Sequence, residues 1–343
     1  MIKRYIIDVI PKVFHFKKPA GTSRGVYTER RSWFVRIQDG SSPCREGWGE
    51  CAPLPGLSCD DVPEYENLLL AACREVEENG VFDAEKWKRC PSIVFGLETA
   101  IQHLERGHYG LWDTPFSRGE QGIRINGLIW MGDYESMYRQ IRDKVDAGYR
   151  CVKLKIGAID FEQELNLLRF VRQQFSAKDI ELRVDANGAF SSDEALEKLK
   201  RLSDFDLHSI EQPIKSGQWD VMRQLTDVSP LDIALDEELI GWHHRKDKEQ
   251  LLEVIKPKYL ILKPSLHGGF SGCKEWIDIA EQRKIGWWIT SALESNVGLN
   301  AIAQWCATWN PIVPQGLGTG LLFTDNVPMP LEIRKDALWY VAD

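Results

Sequence analysis

V-K-L-K-I-G (Val152–Gly157), R-V-D-A-N-G (Arg183–Gly188), S-I-E-Q-P (Ser209–Pro213), A-L-D-E-E (Ala234–Glu238) and L-I-L-K-P (Leu260–Pro264) recur at a near-constant interval. From Lys155 through Asp185, Glu211 and Asp236 to Lys263 the steps are 30, 26, 25 and 27 residues. Each charged marker follows a short apolar run, where a buried charge is costly unless it is paired or put to use. Similar runs lie near 123–129, 286–290 and 312–317, and amphipathic stretches separate them. In 133–148, Met137, Ile141 and Val145 are four apart and Gly148 is placed to end a helix. In 191–203, Ser191 or Ser192 can cap a helix with Leu196, Leu199 and Leu202 on its apolar face. Repeated strand–helix units predict parallel strands joined by crossover helices, and eight runs predict closure into an α/β barrel. An open doubly wound sheet is the alternative, but no G-x-G-x-x-G opens a helix.

Outside this region the pattern changes. Residues 1–40 read as strands (I-K-R-Y-I-I-D-V-I, R-S-W-F-V-R-I), and a turn-rich stretch covers Ser41–Ser58. Helical patterns follow at 61–79 and 91–107, so residues 1–120 are expected to form a small α+β domain and 121–321 the barrel. The tail, 322–343, has no helical pattern and is expected to pack back on the N-terminal domain.

The chain of 343 residues, 43% hydrophobic and 27% charged, is long enough for one large and one small domain. A net charge of −8 and the lack of a basic block argue against nucleic acid as a partner. No apolar run is long enough for a membrane span, and the N-terminus has neither an apolar leader core nor a cleavage site. Eight scattered cysteines without a C-x-x-C pair fit reduced thiols in the cytoplasm, and seven histidines lack ligand spacing. The oligomeric state, a homo-oligomer included, is left open. Most of the 13 tryptophans are expected in cores, and Trp287-Trp288 is unusually bulky for a barrel strand.

In a barrel the active site lies at the carboxyl ends of the strands, where all five markers fall. Strand alternation puts Lys153 and Lys155 on one face, into the barrel. Asp185, Glu211 and Asp236 are expected at one height on three successive strands, where like charges need a cation. All-oxygen ligation suits Mg²⁺, with Mn²⁺ a chemically acceptable substitute. Three separate salt bridges are the bland alternative. Asn187, Gln212 and Glu237 follow the carboxylates and are candidates to support them. A cation flanked by lysines suits proton abstraction next to a carboxylate, because the enediolate needs charge compensation. The combination of a lysine base and Mg²⁺ is a known pattern of enolase-superfamily sites.

With these residues, and with G-W-G-E-C-A-P-L-P-G-L-S (Gly47–Ser58) near the N-terminus, the chain resembles the muconate-lactonizing subgroup of the enolase superfamily. The resemblance implies a modified (β/α)₇β barrel with an α+β cap built from both chain ends. I-T-S-A-L-E-S-N-V-G-L (Ile289–Leu299) and Q-G-L-G-T-G-L-L-F (Gln315–Phe323) are similar to the o-succinylbenzoate synthase branch. Dipeptide epimerases of the subgroup carry D-x-D where this chain has Gly316 and Gly318, while N-acylamino-acid racemases stay open as a second reading. The resemblance implies a small carboxylate substrate, dehydrated to an aromatic product for menaquinone biosynthesis. It makes Lys155 the base, with Lys153 beside it tuning its proton affinity, and Lys263 the stabiliser of the enediolate. Ser291, Gly316 and Thr319 are implied for the succinyl tail. Arg24, in a candidate lid at Pro19–Arg24, is implied as a carboxylate partner. A noncatalytic binding protein on the same fold is the third reading, and the intact lysine–carboxylate set argues against it.

Overall fold

A computed structural model describes residues 5–22, 25–40 and 44–341. The N-terminal runs form three antiparallel strands, β1 (Ile6–Thr22), β2 (Gly25–Gln38) and β3 (Glu46–Cys51), in that order across the sheet. Three helices follow: α1 (Tyr65–Asn79), α2 (Ala84–Trp87) and α3 (Pro91–Arg106). α1 stops at Gly80, whose φ of 69° ends it in the left-handed region. α3 starts with proline, where no intrahelical amide bond is lost. Val35, Ile37, Leu69, Ile93 and Leu97 join sheet and helices in one core. The G-W-G-E-C segment reads as a packing motif here: a Cβ on Gly49 would lie 1.9 Å from the Gly96 carbonyl oxygen of α3. Only glycine allows that approach.

β4 (Ile123–Arg124) precedes the barrel, whose strands are β5 (Gly127–Ile129), β6 (Cys151–Lys155), β7 (Glu181–Asp185), β8 (Ser209–Glu211), β9 (Ile233–Leu235), β10 (Tyr259–Leu262) and β11 (Gly286–Ile289). They are parallel and adjacent in chain order. The intervening helices are α4 (Tyr134–Asp146), α5 (Phe161–Gln174), α6 (Ser192–Ser203), α7 (Trp219–Val228), α8 (Arg245–Ile255), α9 (Gly269–Gln282) and α10 (Asn296–Ala307). Asp133 caps α4 by accepting the Ser136 amide at 2.7 Å. Ser191 and Glu194 make a capping box on α6, whose inward face is Ala195, Leu199 and Leu202, with Leu196 half-buried.

The eighth run closes the ring without a full ladder. Gln315 bridges to Ile125 and Gly316 to Thr290, both parallel. Pro311 and Pro314 remove amide donors from this segment. The Gln315 side chain replaces a missing rung, accepting the Ile289 amide at 2.8 Å and donating to the Val313 carbonyl at 2.7 Å. The run at 123–129 also divides, since β4 pairs with the tail and only β5 belongs to the barrel.

The tail has two destinations rather than one. Phe323 bridges to Phe16 of β1, and the His15 carbonyl accepts the Thr324 amide at 2.9 Å. β12 (Leu331–Arg334) and β13 (Ala337–Tyr340) then form a hairpin that pairs with β4, while Pro328, Met329, Pro330 and Tyr340 share a cleft with Trp48, His103 and Tyr109 of the N-terminal unit.

Trp288 now has a place. It is buried in the barrel floor, with the Arg183 guanidinium 4.2 Å from its ring centroid and Tyr259 beside it. Such a desolvated cation–π contact contributes on the order of 2 kcal/mol. Trp287 points the other way and packs against Trp309.

Two carboxylates of the N-terminal unit cap barrel helices. Glu50 accepts the amides of Ser295 at 2.9 Å and Gly298 at 3.0 Å, at the start of α10. Glu98 accepts the Phe270 amide at 2.6 Å at the start of α9. Burial pushes the Glu98 carboxyl up to about 7, against these hydrogen bonds. The folded chain therefore holds the Glu98 proton more tightly than the unfolded chain, and stability from this group falls as pH rises through about 4.5 to 7. Glu98→Gln should remove that slope: its melting temperature relative to wild type should be higher at pH 8 than at pH 5. Thermal melts at the two pH values check this, and a constant difference contradicts it.

Candidate active site

The carboxyl ends of β6 to β10 carry the five charged markers. Lys155 pairs with Asp185 in register, and Asp185 pairs with Glu211. Glu211, however, faces Ala234, so Asp236 stands one inward-facing position further along than the equal-height expectation. The stagger of strands in a closed barrel accounts for the step. β6 and β10 are four places apart in a ring of eight, which puts Lys155 and Lys263 on opposite walls with the three carboxylates on the arc between them.

Every one of these groups is buried or nearly so. The Lys153 ammonium donates to Glu211 Oε2 at 2.6 Å and lies 3.0 Å from Asp185 Oδ2. The Lys155 ammonium lies 3.4 Å from Asp185 Oδ2 and donates to Asn187 Oδ1 at 2.7 Å. Lys263 donates to Asp236 Oδ2. Burial disfavours the Lys153 and Lys263 ammoniums, but the facing carboxylates outweigh it and raise both above the ordinary lysine range. Burial likewise resists ionisation of Asp185, yet Lys153 and Lys155 draw it below the ordinary range. Glu211 goes the other way: burial, then the negative charge of Asp185, drive it well above its ordinary value.

Among the described residues no three acidic, histidine or cysteine side chains are gathered as ready metal ligands, because each carboxylate is drawn to a lysine. The donor set nonetheless fits a hard cation. Glu211 Oε1 and Asp236 Oδ1 are buried without a hydrogen-bond partner, and an orphaned carboxylate oxygen in such a place is costly. A divalent cation would satisfy both oxygens and relieve the crowding that drives Glu211 upward.

The expected supporting residues act through the loops. Asn187 and Gln212 have φ of 44° and 39°, unusual for non-glycine residues and typical of constrained functional turns. Asn187 holds Lys155, its amide donates to Asp185 Oδ1 at 3.0 Å, and its side chain donates to Glu237 Oε1 at 3.0 Å. Gln212 bonds none of the Asp185, Glu211 and Asp236 carboxylates; its Oε1 accepts the amides of Asp236 and Glu238, both at 3.2 Å, its Nε2 donates to Glu238 Oε2 at 3.3 Å, and it so shapes the Asp236 loop. His267 accepts the Lys263 amide at 2.9 Å, and burial pushes its ring down to about 3, so it remains neutral. Neither His267 nor Glu164, which accepts the Gly157 amide at 2.6 Å beyond Lys155, belongs to the sequence-derived set. No spacing signal marks them.

A cavity of about 740 Å³, counted with its open mouth, lies over these groups. Lys153, Lys155, Asp185, Glu211 and Lys263 line it, together with Ser291, Gly316 and Thr319. Ser291 and Thr319 share a hydroxyl hydrogen bond of 2.6 Å. A Cβ on Gly316 would lie 2.3 Å from Thr290 Oγ1, so this wall has no room for a carboxylate at 316. The sequence reading missed the apolar lining: Leu54 and Leu57 of the N-terminal unit, Leu128, Trp130 and Leu293. Of the candidate lid, Ala20 pairs with Tyr27 in the β1–β2 hairpin, while Arg24 lies outside the described residues.

An acid-lined barrel mouth facing two opposed lysines is the architecture of a carboxylate-enolising enzyme. Comparison with known proteins agrees. Residues 136–337 match the family described as Enolase C-terminal domain-like, and residues 22–104 match MenC, N-terminal domain. The o-succinylbenzoate synthase of Desulfotalea psychrophila is 48% identical, over 93% of this chain and 94% of that protein. The crystal structure of MenC from Desulfotalea psychrophila LSv54 superposes with a TM-score of 0.83 at 40% identity, covering 98% of this chain and 99% of that one. A D-Ala-D/L-Ala epimerase of Cytophaga hutchinsonii is 25% identical over 92% of this chain and 87% of its own length. The chain belongs to the enolase superfamily and, within it, to the o-succinylbenzoate synthase family.

Proposed function

We propose that this protein is a Mg²⁺-dependent lyase that dehydrates 2-succinyl-6-hydroxy-2,4-cyclohexadiene-1-carboxylate to o-succinylbenzoate for menaquinone biosynthesis, working in the cytoplasm. The observation that carries the reading is the placement of Lys155 and Lys263 on opposite walls of one cavity, with Asp185, Glu211 and Asp236 between them. The similarity to o-succinylbenzoate synthase supports the substrate. All eight cysteines are free, in accord with a reducing compartment, and no helix among the described residues is long and apolar enough to cross a membrane.

In this reading Asp185, Glu211 and Asp236 would hold Mg²⁺, which would supply positive charge to the substrate carboxylate. Lys155 Nζ removes the proton from the carbon bearing that carboxylate. Lys153, fixed between Asp185 and Glu211, keeps its own positive charge two residues away on the same face of the strand. Lys263, held by Asp236 and its backbone fixed by His267, presents its ammonium to the developing negative charge from the opposite wall. The electron pair then expels the ring hydroxyl. Lys155 returns its proton to the departing oxygen, so that water leaves and the ring becomes aromatic. Ser291, Gly316 and Thr319 receive the succinyl tail, with Arg24 a further carboxylate partner. The apolar lining excludes water and favours a flat ring.

The second reading, N-acylamino-acid racemisation or dipeptide epimerisation, draws on the opposed lysines, each a candidate base for one enantiomer. The crowded Gly316 position disfavours the dipeptide form. The deciding experiment is a side-by-side assay of the cyclohexadiene acid and N-succinyl amino acids, with Mg²⁺ and after chelation. Mg²⁺-dependent aromatisation, followed by absorbance, is expected to dominate. Far better turnover of N-succinyl amino acids would overturn the proposal.

A further inference from the structure

The N-terminal unit and the barrel meet at an arginine that the mechanism does not use. Arg30, on β2, is 1% exposed. Its Nη2 donates to the Ala52 carbonyl at 2.5 Å, its Nη1 to the Pro53 carbonyl, and its Nε to the Leu293 carbonyl at 3.3 Å. The first two carbonyls belong to the loop that carries Leu54 and Leu57; the third belongs to the loop beyond β11. Both loops line the cavity.

The second loop needs holding. Leu293 has a φ of 63°, a left-handed conformation that a leucine adopts only under constraint. On one side of it the Glu294 carboxylate accepts the Ala292 amide at 2.7 Å; on the other, Glu50 accepts the Ser295 amide at 2.9 Å. Both carboxylates lie in the field of Arg30 and offset part of the cost of burying its guanidinium, although burial still outweighs them and lowers its proton affinity. A planar group with five donors in a fixed fork holds three carbonyls on two loops in one geometry, which the compact, three-donor ammonium of a lysine does not reproduce.

We propose that Arg30 is a positioning residue that sets substrate recognition, clamping the Leu54–Leu57 loop of the N-terminal unit to the Leu293 loop of the barrel so that together they form the apolar roof of the cavity. The inference rests on reading this cavity as the substrate site. Arg30 touches no reacting atom. It acts through the leucines, so its loss loosens the fit of the ring while leaving Lys155, Lys263 and the carboxylates in place.

The test is Arg30→Lys, assayed with Mg²⁺ and the cyclohexadiene acid. KM should rise at least tenfold while kcat stays within about threefold. Leu54→Ala should raise KM in wild type but add little in the Arg30→Lys background, because both changes undo the same roof. An unchanged KM, or fully multiplicative effects, overturns the proposal. A parallel collapse of kcat with the near-ultraviolet circular dichroism also does, since it marks a merely structural role. Should the variant not fold, amide hydrogen exchange on the wild-type protein decides. Adding o-succinylbenzoate with Mg²⁺ should protect residues 52–58 and 291–295 together, and protection of only one segment refutes the clamp. If wild type neither turns over the acid nor binds o-succinylbenzoate, the functional reading fails instead, and the two failures are told apart.

Discussion

Lys155→Ala is expected to abolish dehydration, lowering kcat by at least about 10³-fold, the range spanned by loss of a positioned proton-transfer group. The expectation follows from geometry: Lys155 lines the cavity and donates to Asn187 Oδ1 at 2.7 Å, whereas Lys153, which lines it too, is held by two carboxylates and is not free to replace it. The substrate should therefore bind the variant without exchanging its α-proton. Incubation in deuterated water, followed by mass spectrometry of recovered substrate, separates a lost proton transfer from a lost binding site. Lys263→Arg provides the contrast. It keeps a positive charge on the opposite wall but cannot act as a base, so a trace of dehydration should survive while racemisation of N-acylamino acids does not. If Lys155→Ala kept more than a tenth of wild-type activity, the base would have to be another group.

The candidate site at the barrel mouth was legible because its signals are local. A strand of alternating residues fixes which side chains face inward, and a turn residue after each strand fixes where the run ends. Lys153, Lys155, Asp185, Glu211, Asp236 and Lys263 needed nothing more to be placed around one centre. The relative height of Asp236 was not legible, because strand stagger belongs to the closed barrel and not to any one strand. The weak eighth strand was hidden for a similar reason: Gln315 substitutes its side chain for backbone pairing, and no periodicity records that.

Long-range packing accounts for the remaining gaps. Glu50 stands within G-W-G-E-C, yet its partner Ser295 lies 245 positions away. Arg30 reads as one more exposed-looking charge in a strand until Leu293, 263 residues on, is brought beside it. Leu54, Leu57 and Trp130 look like ordinary apolar residues, and only assembly of cap and barrel turns them into a cavity wall. The tail shows the same effect. Phe323 is aromatic enough to predict burial, but nothing in it says that it will meet Phe16 while the hairpin that follows goes to β4.

Glu211→Gln should separate the cation from the rest of the site. The change keeps size and one acceptor oxygen but removes the negative charge and turns the other oxygen into a donor, and it leaves Lys153 with Asp185 as its one ion-pair partner. Loss even of groups that only orient metal ligands costs about 10- to 100-fold in affinity, so loss of a ligand charge should weaken Mg²⁺ binding by at least about 100-fold. Activity at fixed Mg²⁺ should fall in parallel. Stability supplies a readout independent of turnover. Mg²⁺ binds only the folded site, so it should raise the melting temperature of the wild type in a concentration-dependent way and leave the variant nearly unmoved. Without Mg²⁺ the order should reverse: the wild type crowds Asp185, Glu211 and Asp236 together with two unpartnered oxygens, a crowding that drives Glu211 toward its neutral form, and the variant is neutral there from the start. The metal-free variant should then melt at or above the metal-free wild type. Equal Mg²⁺-induced shifts in the two proteins would falsify Glu211 as a ligand and return the three carboxylates to the role of salt-bridge partners for Lys153, Lys155 and Lys263.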